Sequence, residues 1–233
     1  MADRFYTPDA LGPGDYALTG PEAHHLATVR RFAPGDEIVL FNGDGHDYPA
    51  HILSVGKRTV ELSVLAPVAA DRELPIPLVV GSALPKGDRA DFLIEKLTEL
   101  GVTRFVPLLT ARAVVQPKAA VVEKFTRAVI EASKQCGRNR LMHIDPPQKW
   151  PDFLARPDLP PSRLILHTGP GLNALKAEAG CAVAIGPEGG FAPDEVAVAL
   201  AAGWLAASLG PRVLRVETAA VAAAARLAKG SED

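Results

Sequence analysis

The sequence predicts a small β-barrel followed by an α/β domain on a mostly parallel sheet, and three observations carry that prediction. Residues 1–72 hold short apolar runs separated by turn chemistry. Strand-like and helix-like runs then alternate from Leu78 to the end. In this alternating region a pair of strands ends in Gly-Pro, at Ile185-Gly186-Pro187-Glu188-Gly189-Gly190-Phe191 and at Leu209-Gly210-Pro211-Arg212-Val213-Leu214-Arg215-Val216-Glu217-Thr218.

In the N-terminal region, strands are expected at Glu37–Phe41, Ala50–Val55 and Thr59–Leu65, with a short helix at Pro21–Thr28. Pro34-Gly35-Asp36, Asn42-Gly43-Asp44-Gly45 and Gly56-Lys57 supply the turns, the Asn-Gly pair tolerating the positive φ of a tight hairpin. Asp71-Arg72-Glu73-Leu74-Pro75-Ile76-Pro77 is polar and then proline-punctuated, as suits a linker. Beyond it, strands are expected at Leu78–Leu84, Arg104–Leu109, Arg163–His167, Cys181–Gly186 and Leu205–Leu209. Helices are expected at Asp88–Leu100, Lys118–Gln135, Leu172–Ala179, Pro193–Ala202 and Glu217–Lys229. Leu93, Leu97 and Leu100 share one helix face, and Pro193 with Asp194-Glu195 marks a helix start. Such alternation buries a parallel sheet on both faces and puts ligands where loops leave the strand carboxyl ends. Both Gly-Pro exits lie at such ends.

Bulk properties narrow the function classes. An apolar share of 48% with 22% charged residues in 233 is that of an ordinary globular protein. No apolar run approaches the length of a membrane helix, and MADRFYTPDA lacks a secretory pattern, so no membrane partner and a cytoplasmic location are expected. Cys136 and Cys181 have no metal-type spacing, so no metal is expected, and Cys136 reads as packing. Net charge is −2, divided as −4 over residues 1–72 and +2 over the rest, so any RNA contact must rest on local clusters. There is no P-loop, and no G-x-G-x-x-G that follows a strand and opens a helix.

Each candidate residue has a functional and a bland reading. The Gly186–Gly190 turn either offers N–H groups beside a helix start to a carboxylate or base edge, or simply joins strand to helix. Arg212 and Arg215 suit phosphate or carboxylate contact, and Glu217 is either a site residue or a helix N-terminal acid. His24-His25 with Arg30-Arg31 is either an RNA-facing basic face or a solvated helix end. His167 either lines the pocket or packs.

Taken together, IGPEGGF, LGPRVLRVETA, EASKQCGRNR and KGDRADFLIEKLTELGV, behind a β domain carrying HHLATVRR, closely resemble the RsmE family. These are 16S ribosomal RNA uridine N3-methyltransferases of the SPOUT superfamily. The resemblance spans essentially the whole chain. It implies a PUA-like RNA-binding β-barrel over residues 1–72 and a SPOUT methyltransferase domain over 73–233 whose C-terminal region forms a trefoil knot. It also implies S-adenosylmethionine as cofactor, a homodimer, and 16S rRNA or the assembled small ribosomal subunit as partner. Carried over by position, the cofactor loops are Leu166, His167 and Thr168; Ile185, Gly186, Pro187, Glu188, Gly189 and Gly190; and Leu209, Gly210, Arg212, Val213 and Leu214. One run departs from the family pattern. After Leu109 members commonly carry an acidic residue, an arginine and a small polar residue, whereas Thr110-Ala111-Arg112-Ala113 keeps only the arginine.

Methylating uracil N3 requires the N3 proton to leave and the resulting anion to be stabilised. Their place just after the last cofactor loop makes Arg215 the expected anion stabiliser and Glu217 the expected proton acceptor. Arg30, Arg31, Arg112, Arg138 and Arg140 are expected to contact RNA, mostly at phosphates. Two alternatives stay open: a SPOUT enzyme acting on ribose 2′-OH or guanine, and a non-catalytic RNA-binding ribosome-assembly factor.

Overall fold

A computed structural model describes residues 3–168, 173–175 and 180–228. The chain divides into two compact units, Met1–Glu73 with Ser133–Leu141, and Leu74–Ala132 with Met142–Asp233.

The first unit is a six-stranded sheet of β1 (Arg4–Tyr6), β2 (Gly14–Thr19), β3 (Glu37–Phe41), β4 (His46–Val55), β5 (Thr59–Val64) and β6 (Val68–Ala69). Its order is β1-β3-β4-β5-β2, with β6 on β4. The period-2 pattern works as expected: Ile38 and Leu40 of β3, and Val60, Leu62 and Val64 of β5, all enter one core with Phe5, Leu18 and Ile52. At the turn between β3 and β4, the Asn42 side chain accepts from Asp44 N at 3.1 Å and Asp44 Oδ1 accepts from His46 N at 2.9 Å. Helix α1 (Gly20–His24) runs into a π-helical turn, His25–Arg30, where one continuous helix was expected. Arg31 then ends the segment in the left-handed region, φ 58°.

The second unit has an eight-stranded sheet of β7 (Leu78–Ser82), β8 (Arg104–Leu109), β9 (His143–Ile144), β10 (Gln148–Lys149), β11 (Ser162–Leu166), β12 (Asn173–Ala174), β13 (Cys181–Ile185) and β14 (Leu205–Ser208). The order is β10-β8-β7-β13-β11-β14-β12 with β9 beside β8, and every pairing is parallel. All five residues of β7 and of β13 are buried, as strands covered on both faces should be. The helices are α2 (Arg89–Glu99), α3 (Val121–Cys136), α4 (Trp150–Leu154), α5 (Pro193–Ala201) and α6 (Val216–Ala228). α6 packs on α2, β7 and β13. Trp150, Phe153, Phe191 and Trp204 form an aromatic cluster with ring centroids 4.5–6.2 Å apart.

The helix expected at Leu172–Ala179 differs. Asn173 and Ala174 are strand, extending the sheet beyond β14 with Asn173 opposite Ala207, while 172 and 176–179 lie outside the described residues. Lys229, the expected last residue of α6, also lies outside them. β1, β2 and the short α4 had no strong sequence signal.

Candidate functional site

Three neighbouring parallel strands, β13, β11 and β14, end at Ile185, Leu166 and Ser208 and so deliver their exit loops to one edge of the sheet. The loops enclose a cavity of about 370 Å³, within the range typical of small-molecule sites. All fourteen residues expected at the cofactor line it: Leu166, His167, Thr168, Ile185, Gly186, Pro187, Glu188, Gly189, Gly190, Leu209, Gly210, Arg212, Val213 and Leu214. Among the described residues, Arg112, Phe191, Ser208 and Ala219 line it as well. His167 is exposed, and its N–H donates to Ala207 O at 3.0 Å, so it belongs to the lining and not to the core.

Local chemistry sets the loop shapes. The first loop doubles back on itself, so a Cβ on Gly186 would sit 3.0 Å from both Cδ2 and the backbone nitrogen of Phe191. Any larger residue would require Phe191 to give by a few tenths of an ångström. Gly190 N donates to Pro187 O at 2.8 Å, closing the turn. Phe191 is then anchored on Trp150, centroids 4.5 Å apart, an aromatic contact worth about 0.5–1.5 kcal/mol beyond its buried area. In the last loop Gly210 N donates to Ser208 Oγ at 3.1 Å.

A single carboxylate ties the end of the Gly186–Phe191 loop to the segment after β8. Glu195, in the first turn of α5, accepts from Ala192 N at 2.8 Å through Oε2, half of a capping box. Its Oε1 accepts from Ala111 N, also at 2.8 Å. This bond comes from the Ala111 backbone and does not depend on the side chain at that position. Beside it, Arg112 donates from Nη1 to Gly189 O at 2.8 Å and more loosely to Phe191 O at 3.5 Å. Arg112 therefore stands in the cavity wall.

The two expected catalytic residues are not among those lining the cavity. Arg215 is exposed, and its carbonyl accepts from Ala219 N at 2.8 Å as α6 begins. Glu217 is buried, with Arg89 Nη1 at 3.4 Å from its Oε1 and no partner for its Oε2 among the described residues. The same Arg89 nitrogen lies 3.7 Å from Glu188 Oε1 on the wall. Arg89 thus links the head of α6 to the first loop. It sits in the KGDRAD run, but nothing local in that run points to a partner 128 residues away.

The basic residues expected at RNA divide. Arg30 is exposed and paired with Asp3, Arg31 is exposed, and Arg140 is exposed against the Gly45 turn. Arg138 is the exception. Its side chain is 4% exposed and its Nε donates to Glu73 Oε1 at 3.0 Å, while Nη2 bonds the other oxygen at 2.5 Å. A guanidinium so neutralised and buried is not presented to a phosphate. Asn139 is buried with it, donating to Ala70 O at 3.0 Å and to Asp47 Oδ1 at 3.3 Å.

Among the described residues no cluster of His, Cys, Asp or Glu is arranged to hold a metal, and no helix is long and apolar enough to cross a membrane. Cys181 is fully buried, which pushes its thiol up to about 12 and leaves it inert.

The chain is similar to known proteins over nearly its whole length. Residues 72–228 match the RNA methyltransferase domain family, and residues 18–65 match the RNA methyltransferase PUA domain family. The ribosomal RNA small subunit methyltransferase E of Synechocystis is 32% identical, over 94% of this chain and 75% of that protein. Its Mycobacterium bovis counterpart is 34% identical, over 96% and 90%. Among solved structures, a Legionella pneumophila methyltransferase in complex with bound S-adenosylmethionine superposes with a TM-score of 0.90 at 32% identity, covering 97% of this chain and 96% of that one. The small subunit methyltransferase E of Neisseria gonorrhoeae, bound to S-adenosylmethionine, gives 0.88 at 30% identity, covering 97% and 96%. The chain belongs to the ribosomal RNA small subunit methyltransferase E family.

Proposed function

We propose that this protein methylates N3 of a uridine in 16S ribosomal RNA, using S-adenosylmethionine held in the cavity at the ends of β11, β13 and β14. The observation that carries this reading is the meeting of all fourteen expected residues, from three separate stretches of chain, around one cavity of suitable size. Their chemistry fits the cofactor. Leu166, Ile185, Leu209 and Leu214 offer apolar surface to a flat base, and loop backbone groups offer hydrogen bonds to its edge. Glu188 places negative charge on the wall, which suits a ligand with an ammonium and a sulfonium. When bound, S-adenosylmethionine supplies a methyl group on a cationic sulfur. The protein's role is to hold the uracil edge in line with that methyl and to exclude misaligned approaches.

The remaining expectations belong to the same reading. Residues 1–72 serve as a PUA-like RNA-binding domain and 73–233 as the methyltransferase domain. The trefoil knot finds support in the strand order. β14 follows β13 but lies beyond β11, and α6 then returns past β11 to pack on β7 and β13. The active form is a homodimer acting in the cytoplasm on 16S rRNA or the assembled small subunit. Phosphates are gripped by Arg30, Arg31 and Arg140. The unpaired or extruded target base reaches the cavity from solvent.

The test is mass spectrometry of ribosomal RNA nucleosides from cells lacking this protein. Loss of 3-methyluridine, restored by the wild-type gene, is expected. Loss of a 2′-O-methylated or guanine-methylated nucleoside instead would move the target atom, and no change at all would favour an assembly factor.

A further inference from the structure

We infer that Arg112, and not Arg215 just ahead of α6, is the catalytic residue that stabilises the uracil anion during methyl transfer; this rests on the N3-methylation reading above. An anion-stabilising group must stand at the cavity and be fixed before the reaction, because a donor that has to reorganise gives back much of its advantage. Arg215, the arginine expected there from the sequence, is not among the lining residues. Two arginines are. Both are exposed, but among the described residues the Arg212 side chain makes no hydrogen bond or ion pair. Arg112 is held at both ends. Its guanidinium donates from Nη1 to Gly189 O at 2.8 Å, and the backbone just before it is fixed by Ala111 N on Glu195 at 2.8 Å.

That anchoring uses one nitrogen of the fork. A guanidinium carries five N–H donors, and among the described residues both bonds of the Arg112 guanidinium leave from Nη1. Among the described residues, Nε–H and the two N–H groups of Nη2 meet no protein acceptor, in a side chain that stands in the wall. They form the edge of a planar fork suited to two acceptors in one plane. Deprotonated uracil carries its charge on N3 and the flanking carbonyl oxygens, and the fork meets one of those oxygens through its two lone pairs, leaving the N3 lone pair free for the methyl. The loop that Arg112 grips is the one carrying Glu188, so wall and fork are positioned together.

In the methyl transfer, the N3–H proton passes to water at the cavity mouth. The N3 lone pair forms the new N–CH₃ bond as the S–CH₃ bond breaks, its electron pair remaining on sulfur and cancelling the sulfonium charge. Arg112 keeps all its protons and lowers the energy of the anion formed in between.

The experiment first maps the nucleotide that the wild-type protein methylates on 16S rRNA. A short RNA fragment spanning it, with 5-fluorouridine at that position, then reports N3 ionisation by fluorine NMR in complex with the cofactor-free protein. Bound to wild type, the base should ionise about 1–2 pH units lower than when bound to Arg112→Ala or Arg112→Gln, a size typical of one nearby charge. Turnover of both variants on unmodified RNA should fall about 10²–10³-fold, as for removal of one preorganised donor. Because Arg112 also grips a cofactor loop, their calorimetric affinity for S-adenosylmethionine should fall, but by about tenfold or less, the size of one lost hydrogen bond and far short of the loss of turnover. Circular dichroism should show both variants folded. Equal ionisation in all three complexes would overturn the inference, as would a loss of cofactor affinity as large as the loss of turnover. A wild-type protein that forms no 3-methyluridine on RNA or subunits would sink the functional reading itself, and this inference with it.

Discussion

Glu217 shows how one side chain can belong to a site without touching its cavity. Its carboxylate is buried in the first turn of α6, where a negative charge complements the helix dipole. That accounts for some of its placement, and Arg89 supplies the rest by standing between Glu217 and Glu188. Removing Arg89 leaves a buried carboxylate with one oxygen already unpartnered and the other newly so. Because Arg89 is about one-third exposed, water compensates partially, and Arg89→Ala should cost about 1–3 kcal/mol, less than a fully buried pair. Glu217→Gln keeps the shape while removing the charge, and should cost about 1 kcal/mol or less. The two changes share one interaction, so the double variant should be no less stable than Arg89→Ala alone. Urea unfolding of the four proteins checks this, and strictly additive losses would show that Arg89 holds something other than Glu217.

At the scale of elements, the run Gly137-Arg138-Asn139-Arg140 divides its labour by residue. Arg138 pairs with Glu73, and Asn139 with Ala70 and Asp47. Arg4 donates both to Asp47, at 2.9 Å, and to Arg138 O, at 3.3 Å. Arg140 alone faces out, and a Cβ on Gly45 (φ 100°) would come within 2.5 Å of its guanidinium, so the turn between β3 and β4 is a seat for it. Arg138→Ala should therefore destabilise the protein by about 3–5 kcal/mol, leaving Glu73 unpaired. Arg140→Ala should leave stability unchanged and lower the salt dependence of RNA binding by about 0.7 in log–log slope, the value for one single-strand phosphate contact. Thermal melts beside RNA titrations at several salt concentrations separate the two, and a stability loss confined to Arg140→Ala would reverse the assignment. This division was not legible in the sequence, because Arg138 and Arg140 differ only in partners 65 residues away or more. What was legible rests on period and punctuation: β3, β5, β8, α2 and α5 follow directly from alternation, heptad-like leucines and Pro193. β2 was missed because it begins Gly14-Asp15 and buries little, and β12 because two residues borrow their strand character from β14. The cavity loops were legible because a strand ending in Gly-Pro states its own geometry; Arg89 and Glu195 were not, since their roles are long-range.

The whole molecule is close to neutral, with a net charge of −2, and so gains little from its overall field. Its electrostatics are local, and each unit carries its own acid-sensitive centre. In the first unit, burial alone pushes the Asp47 carboxyl up, but the bond and charge of Arg4, joined by Arg72, hold it below the usual carboxylate range. In the second, hydrogen bonds from Arg156 and Arg104 hold Asp158 far below that range. Both are carboxyls depressed in the folded state. Their contribution is present above the unfolded pKa, about 3.9 for Asp, and is lost as pH falls from there through the folded values. The melting temperature should thus hold steady through neutral pH and fall steeply below about pH 4, since the unfolded chain binds protons that the native state refuses. Asp47→Asn should lower the melting temperature at pH 7 and make the fall below pH 4 shallower. It removes both the stabilisation and the proton linked to it, while leaving Arg4 short of its acceptor charge. Asp158→Asn should show the same sign with a smaller loss at pH 7, because that carboxylate is 47% exposed and its ion pairs are screened by water. Calorimetric scans of the three proteins from pH 7 to pH 3 test this. An acid response identical in all three would place the sensitive groups elsewhere and leave these clusters as surface pairs of no consequence.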